Sequence, residues 1–156
     1  MQTFLPFKDF KKSAQHLDYR RLGKQRVEGM QLVNAIENPD TYGWQSHPIT
    51  NMWRPYLVAL KQYVNVINRE WLEQGYKSSI PFYVSPMTQD FDMPAWLGNE
   101  AIHSSHRANL LRKDYTFYSK FGWTDNPNDG YIWLDKDGKY YEQVAGTNTK
   151  IYLQED

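Results

Sequence analysis

Gln15, His16, Arg20, Arg21, Lys24 and Arg26 place an amide, an imidazole and four cationic groups within twelve residues of chain. On a helix, His16, Arg20 and Lys24 recur at i, i+4 and i+8 and form one ridge, with Arg21 beside it. Such a ridge can track a phosphate backbone, and the same spacing also makes an ordinary solvated face. Arg26 projects from the middle of the apolar side, with Gln15 above it in the same stripe. An inward guanidinium holds a phosphate or a carboxylate bidentately, and it is too costly to bury alone. Arg26 therefore needs a partner, either a core-facing acid or a ligand.

A second constellation is Glu100, His103 and Arg107 at i, i+3 and i+7, within about 60° of one another on a helix. A carboxylate, an imidazole and a guanidinium in line can do acid–base work beside a phosphate. They can equally form an intrahelical salt-bridge stripe. His47, His103 and His106 lack the i, i+4 spacing of a helical zinc site, and there is no cysteine to assist them. No metal and no other cofactor is expected, since neither a Gly-rich phosphate loop nor a G-x-S-x-G turn is present. Six Trp, twelve Tyr and seven Phe make the chain rich in rings on which displaced bases stack, each worth ~1–3 kcal/mol. Tyr42, Trp44, Phe91 and Trp96 fall in or beside loops and are the candidates, with packing as their other use.

The elements that carry these groups can be read from periodicity. The strongest signal runs from about Ile49 to Gln74, where Met52, Trp53, Tyr56, Leu57, Ala59, Leu60, Tyr63, Val64, Ile67 and Trp71 share one arc of roughly 160°. Pro48 suits its entry, Gly75 its end, and Pro55 is tolerable only near the first turn. An earlier helix is expected from about Ala14 to Glu37, N-capped by Ser13 and stopped by Asn38-Pro39. A third runs from an Asn99 cap to Lys113, and Asp114 caps a short fourth that ends at Gly122. The stretch from Lys77 to Pro94, with Pro81, Pro86 and Pro94, reads as an ordered loop. Tyr131–Leu134, Asp135–Gly138 and Lys139–Val144 read as a β-hairpin, and Lys150–Leu153 as a further strand. The expected fold is a mainly α bundle of three to four helices, residues 1–123, with a C-terminal hairpin extension, residues 124–156, packed on it.

Net charge sets few limits. The 156 residues hold 18 basic and 18 acidic side chains, and a neutral chain is not the usual nucleic-acid binder. The zero hides a gradient, however. Residues 1–36 carry seven Lys/Arg against three acids, whereas residues 124–156 carry three against seven. A positive face can therefore exist. The first twelve residues contain no apolar run long enough for a signal peptide or a membrane span, which points to a cytoplasmic protein without a membrane partner.

Taken together the segments resemble a family. Gln15-His16-Leu17, Tyr19-Arg20 and Leu22 are similar to the first-helix motif of the pyrimidine-dimer DNA glycosylases, the endonuclease V-like superfamily. Arg20 to Val27, Tyr42 to Pro48 and Trp96 to Arg107 resemble the longer motifs of one of its subgroups. The resemblance covers roughly residues 1–123. It implies a mainly helical fold, DNA as partner, scission of an N-glycosidic bond, and a strand nick through a Schiff base on a terminal threonine amine. It also implies a carboxylate on the first helix, and maps Gln15, His16, Arg20 and Lys24 onto DNA-contacting positions. Here Thr3 stands behind Gln2, and Arg21 occupies the carboxylate's position, so Glu28 and Glu100 are the nearest replacements.

The resulting expectation is base excision without the lyase step. Glu100 serves as general base or electrostatic stabiliser and His103 orients it. Arg21, Arg26 and Arg107 hold phosphate, Gln15 and His16 contact backbone or base, His47 joins the substrate contacts, and Trp96 stacks the base. The alternative is a non-catalytic pocket for a nucleotide or another phosphorylated small molecule, because an added cation at Arg21 suits an anion site.

Overall fold

Two aspartates, not a serine, start the first helices. Asp9 accepts a hydrogen bond from Lys12 N at 2.7 Å and opens α1 (Phe10–Gln15). The chain then leaves the helix at His16 and Leu17, and Asp18 opens α2 (Tyr19–Glu37), its side chain accepting from Arg21 N. The single helix expected from Ala14 is thus two helices. Ser13, expected as its cap, is buried inside α1, where its hydroxyl donates to Phe7 O and accepts from Phe7 N. An aspartate ahead of an aromatic first turn satisfies the orphan amides better than a serine whose hydroxyl is already committed. The computed structural model describes residues 1–84 and 91–154 of the chain. Pro86, part of the expected 77–94 loop, lies outside the described residues.

Two compact units follow one another along the chain, Met1–Leu97 and Gly98–Asp156. The first contains α1, α2, α3 (Pro48–Trp53), a single 3₁₀ turn at Arg54–Tyr56, and α4 (Leu57–Glu73). The long periodic segment is therefore interrupted where Pro55 removes an amide donor and tightens the backbone. Of its expected core face Met52, Trp53, Ala59, Leu60, Tyr63, Val64 and Ile67 are buried, while Tyr56, Leu57 and Trp71 are only partly covered. Gly29 lets α4 approach α2 closely, since a Cβ built there would sit 2.7 Å from Val64 Cγ2. At the end of α4, Gly75 takes φ +93°, Gly75 N donates to Leu72 O and Tyr76 N to Trp71 O, the two bonds of a Schellman turn.

Beyond that turn, residues 77–83 run along α4 with no ladder of their own. Trp71 Nε1 donates to Lys77 O at 2.8 Å, Asn68 Nδ2 to Ile80 O at 2.9 Å, and Asn65 Nδ2 to Tyr83 O at 3.0 Å, while Asn65 Oδ1 accepts from Tyr83 N. Three side chains at three-residue intervals thus hold three backbone positions at the same interval, running in the opposite direction.

The second unit is built on α5 (Glu100–Lys113), capped by Asn99 as expected, followed by α6 (Tyr115–Tyr118) under an Asp114 cap and a turn ending at Gly122. Its sheet orders β1 (Ile132–Leu134), β2 (Tyr140–Gln143) and β3 (Lys150–Tyr152) antiparallel, with Leu134 opposite Tyr140 and Gln143 opposite Lys150. Asp135 Oδ1 accepts from the amides of Asp137 and Lys139 and shapes the hairpin turn. Ser105 Oγ accepts from Ile132 N and donates to Ile102 O, tying β1 to α5. The fold is mainly α with a small antiparallel sheet, as the sequence predicts. No helix among the described residues is long and apolar enough to cross a membrane.

Candidate functional site

The polar chemistry of the first unit converges on α2 and the amino-terminal segment. Gln2, Thr3, Phe4 and Leu5 are buried, and an extended segment that enters a core must find partners for its backbone. Gln25 supplies them from within α2. Its Oε1 accepts from Phe4 N at 3.0 Å, and its Nε2 donates to Gln2 O at 2.8 Å and to Glu28 Oε2 at 3.2 Å. The Tyr63 hydroxyl lies 2.8 Å from Gln25 Oε1 and 3.0 Å from Phe4 O, and Trp53 Nε1 donates to Thr3 Oγ1 at 3.0 Å. Burial, and then the charge of Glu28, push the Tyr63 hydroxyl well above its usual range, so it stays a neutral donor. Gln2 Nε2 is buried and has no hydrogen-bond partner among the described residues.

The cationic residues divide once α2 is seen to begin at Tyr19. His16 belongs to the C-cap of α1, its Nδ1 2.7 Å from Lys12 O and its ring edge-on to Phe7, so the ridge of three reduces to Arg20 and Lys24. Gln15 is exposed on α1 and shares no stripe with Arg26. Arg21 pairs with Asp18 at 3.2 Å and Lys24 with Glu28 at 3.5 Å. Among the described residues Arg26 has no carboxylate partner. Its Nη1 donates to Ser78 Oγ at 2.7 Å, its guanidinium lies 4.6 Å from the Trp71 ring centre, and its Nε is buried without a hydrogen bond. Burial lowers its pKa. The buried stripe of α2 is Leu22, Gln25, Gly29, Leu32, Val33 and Ala35, which moves Arg26 from the middle of the apolar side to its flank, beside Val33.

His47 caps α3, its Nδ1 accepting from Ile49 N at 3.1 Å. Burial first, and then the positive α-amino group of Met1, lower its pKa to about 4, so the ring is neutral at pH 7. Trp44, half exposed at φ +69°, packs edge-on against that ring, and a left-handed backbone at a bulky residue is a strained one. Tyr42 is exposed as well. Trp96 is not available in the same way. At 2% exposure it meets Trp53 edge-to-face at 5.0 Å and donates Nε1 to Met52 O, so the ring expected to stack a base is a core residue.

In the second unit Glu100 and Arg107 meet as an ion pair, and Arg107 Nε also donates to Asp125 Oδ1 at 3.0 Å. Burial alone would raise the Asp125 carboxyl, but hydrogen bonds from Arg107 and Ser104 outweigh it and hold the pKa below the usual value. Burial likewise opposes the Arg107 charge, and the hydrogen bonds it donates to Asp125 and Glu100 reverse the effect and raise its pKa. Glu100 is three-quarters exposed. His103 is buried, its Nε2 accepting from Gly98 N at 2.9 Å. Glu100 and Arg107 are brought together, and His103 turns to the backbone instead of to Glu100. These three lie in the second unit; Gln15, His16, Arg20, Arg21, Lys24, Arg26, His47 and Trp96 lie in the first.

The sequence marks Tyr63 only as a core residue and Thr3 only as the residue behind Gln2, and it does not single out Gln25, so the network that joins them is not anticipated. The available signal was a glutamine at i+3 from Leu22 and i−4 from Gly29, a polar side chain on the one stripe that α4 must cover. Comparison with curated proteins and with solved structures gives no match. The family model described as pyrimidine dimer DNA glycosylase matches residues 1–84, more than half of the chain, including α1 to α4 and the buried amino-terminal segment. The chain belongs to the pyrimidine dimer DNA glycosylase family.

Proposed function

We propose that this protein is a base-excising DNA N-glycosylase, a repair hydrolase for a damaged or modified base, with Glu28 as its working carboxylate. The observation that carries the reading is the family match over residues 1–84, the segment in which Gln25 ties Glu28 to the amino-terminal chain. In excision the C1′–N bond breaks, the base leaves with a proton, and a water oxygen bonds to C1′. The sugar passes through a cationic state that a fixed carboxylate stabilises. Glu28 is largely buried (17% side-chain exposure) and held by Gln25 and Lys24, whereas Glu100 lies outside the matched segment, exposed and paired with Arg107. Lys24, Arg20 and Arg26 supply phosphate contacts on the same helix. Arg21, bound to Asp18, replaces the family's first-helix carboxylate, which argues for excision without the strand nick.

The test uses duplexes bearing a cyclobutane dimer or single modified bases, with alkali to reveal abasic sites and borohydride to trap an imine. Glu28→Gln is expected to lower excision about 100-fold or more, Glu100→Gln to leave it near wild type, and borohydride to trap nothing. Full activity in Glu28→Gln sinks the carboxylate assignment, and loss confined to Glu100→Gln moves it to α5.

One observation favours a second reading, binding of a nucleotide or phosphorylated small molecule. A cleft of about 630 Å³ beside α1 and α4 is lined by Lys8 and Lys11, with Asp9 between them in sequence, and by Phe10, Gln62 and Val66. Thermal stabilisation by free nucleotides, with no excision and no salt-sensitive duplex binding, would select it.

A further inference from the structure

The sheet of the second unit has one covered edge and one open edge. In β1 the outward-facing amide of Ile132 donates to Ser105 Oγ on α5, which closes that side. β3 forms the other edge. Val144 N donates to Thr149 O and Leu153 N to Tyr140 O, and Ile151 stands opposite Glu142 in the same register. Thr149, Ile151 and Leu153 therefore turn their backbone groups to β2, and the antiparallel alternation turns those of Lys150, Tyr152 and Gln154 away from the sheet. Among the described residues no hydrogen bond reaches these outward groups.

An open edge is ordinarily blunted by charge. β3 carries one cation, Lys150, and its ammonium group is laid 4.9 Å over the Tyr141 ring centre. Ile151, Tyr152 and Leu153 are 54%, 48% and 40% exposed, three apolar side chains in succession at the surface. The Tyr152 ring is held, tilted against Tyr141 at 5.4 Å with its hydroxyl bonded to Asp135.

The order of residues along this edge selects its occupant. When two copies pair antiparallel about Tyr152, the outward groups of Lys150, Tyr152 and Gln154 face those of Gln154, Tyr152 and Lys150 of the second copy. Every donor and acceptor of the edge is then satisfied. Ile151 falls opposite Leu153 of the second copy, and Leu153 opposite Ile151, so four exposed aliphatic side chains cover one another on one face. Charge agrees with this direction. Lys150 begins the edge, and Glu155 and Asp156 follow Gln154 in sequence, so the cationic end of each strand meets the acidic end of the other. A parallel pairing would set like charges together.

We infer that β3 is a self-association edge: two copies of this chain pair antiparallel about Tyr152 on a two-fold axis and join their three-stranded sheets into one. The contact is small, which places it among weak interfaces, with a dissociation constant of about 100 µM. It belongs to the second unit and is independent of the DNA-directed reading.

Sedimentation equilibrium of the full chain between about 5 µM and 500 µM tests the edge. The wild type should rise from the mass of one chain towards that of two. Ile151→Glu and Leu153→Lys should each stay a single chain, while an equimolar mixture of the two recovers association. In the mixture the introduced carboxylate and ammonium face each other at one of the two Ile151–Leu153 positions, a rescue that a merely misfolded variant cannot give. Amide exchange of the wild type, followed by NMR, adds a second readout. Raising the concentration should increase protection at Lys150, Tyr152 and Gln154 and leave Ile151 and Leu153 unchanged. This alternation decides the matter if either variant fails to fold. A wild type that stays a single chain at the top of the range overturns the dimer and leaves the edge to a strand of another protein. Association undiminished in both single variants overturns it too, as does a mixture of folded variants that fails to associate.

Discussion

His47 shows how a single side chain links position to pH. Its ring is a helix cap and so must keep a lone pair for Ile49 N, which only the neutral form offers. With its pKa lowered to about 4, the folded protein resists protonating it while the unfolded chain accepts the proton near pH 6.5. More protons bound by the unfolded state mean that stability falls as pH falls. The contribution is complete above about pH 6.5 and is lost progressively towards pH 4. His47→Asn, which retains a capping acceptor, is expected to flatten that part of the profile. Thermal unfolding of both proteins between pH 7 and pH 4 measures the difference, and parallel curves would refute the assignment. At the same scale Gln25 is the residue with most at stake, since removing its amide would strand Phe4 N and Gln2 O within the core.

At the scale of elements, α2 and α4 are fitted by a glycine. Gly29→Ala gains helix propensity of about 1 kcal/mol but drives a methyl group to 2.7 Å from Val64 Cγ2. Overpacking of that kind costs about 1–3 kcal/mol, so the variant should be net destabilised. Val64→Ala placed in the same chain should recover part of the loss, a coupling that urea unfolding of the four-member cycle will reveal. Most elements were legible from the sequence. The caps at Asn99 and Asp114, the ends at Gly75 and Gly122, and the three strands all follow from local rules that tertiary contacts leave intact. The break at His16–Asp18 was not legible. Helical periodicity continues across it, and only the commitment of Ser13 to Phe7 removes the serine as a cap. The site was less legible for the same reason. Arg26 and Trp96 have the residue types of a binding site, but their roles depend on Ser78, Trp71, Met52 and Trp53, none adjacent in sequence to the side chain it touches.

At the scale of the whole molecule, neutrality is a balance between two units of opposite sign. Residues 1–97 carry eleven Lys and Arg against nine Asp and Glu, and residues 98–156 carry seven against nine. The unit that contains the family-matched segment therefore has only a small positive excess, and its duplex binding must rest on local cations. With Arg20, Arg21, Lys24 and Arg26 as the available set, the slope of log K against log salt should be about −3 to −4. Replacing Arg20 or Lys24 with Ala should each reduce it by about 1, whereas Arg21, held by Asp18, should change it less. Anisotropy titrations across a salt series give the slopes directly. A slope near zero would exclude phosphate tracking by α2.

The segment from Lys77 to Tyr83 owes its order to Trp71, Asn68 and Asn65, side chains of a helix that ends before it begins. Three of these bonds hold carbonyl groups, and only the Tyr83 amide is held by α4, through Asn65 Oδ1, so exchange at that amide is expected to follow opening of α4. The Ser78 hydroxyl to which Arg26 donates lies between the Lys77 and Ile80 carbonyls that α4 holds, so the seat of Arg26 is fixed from the same helix.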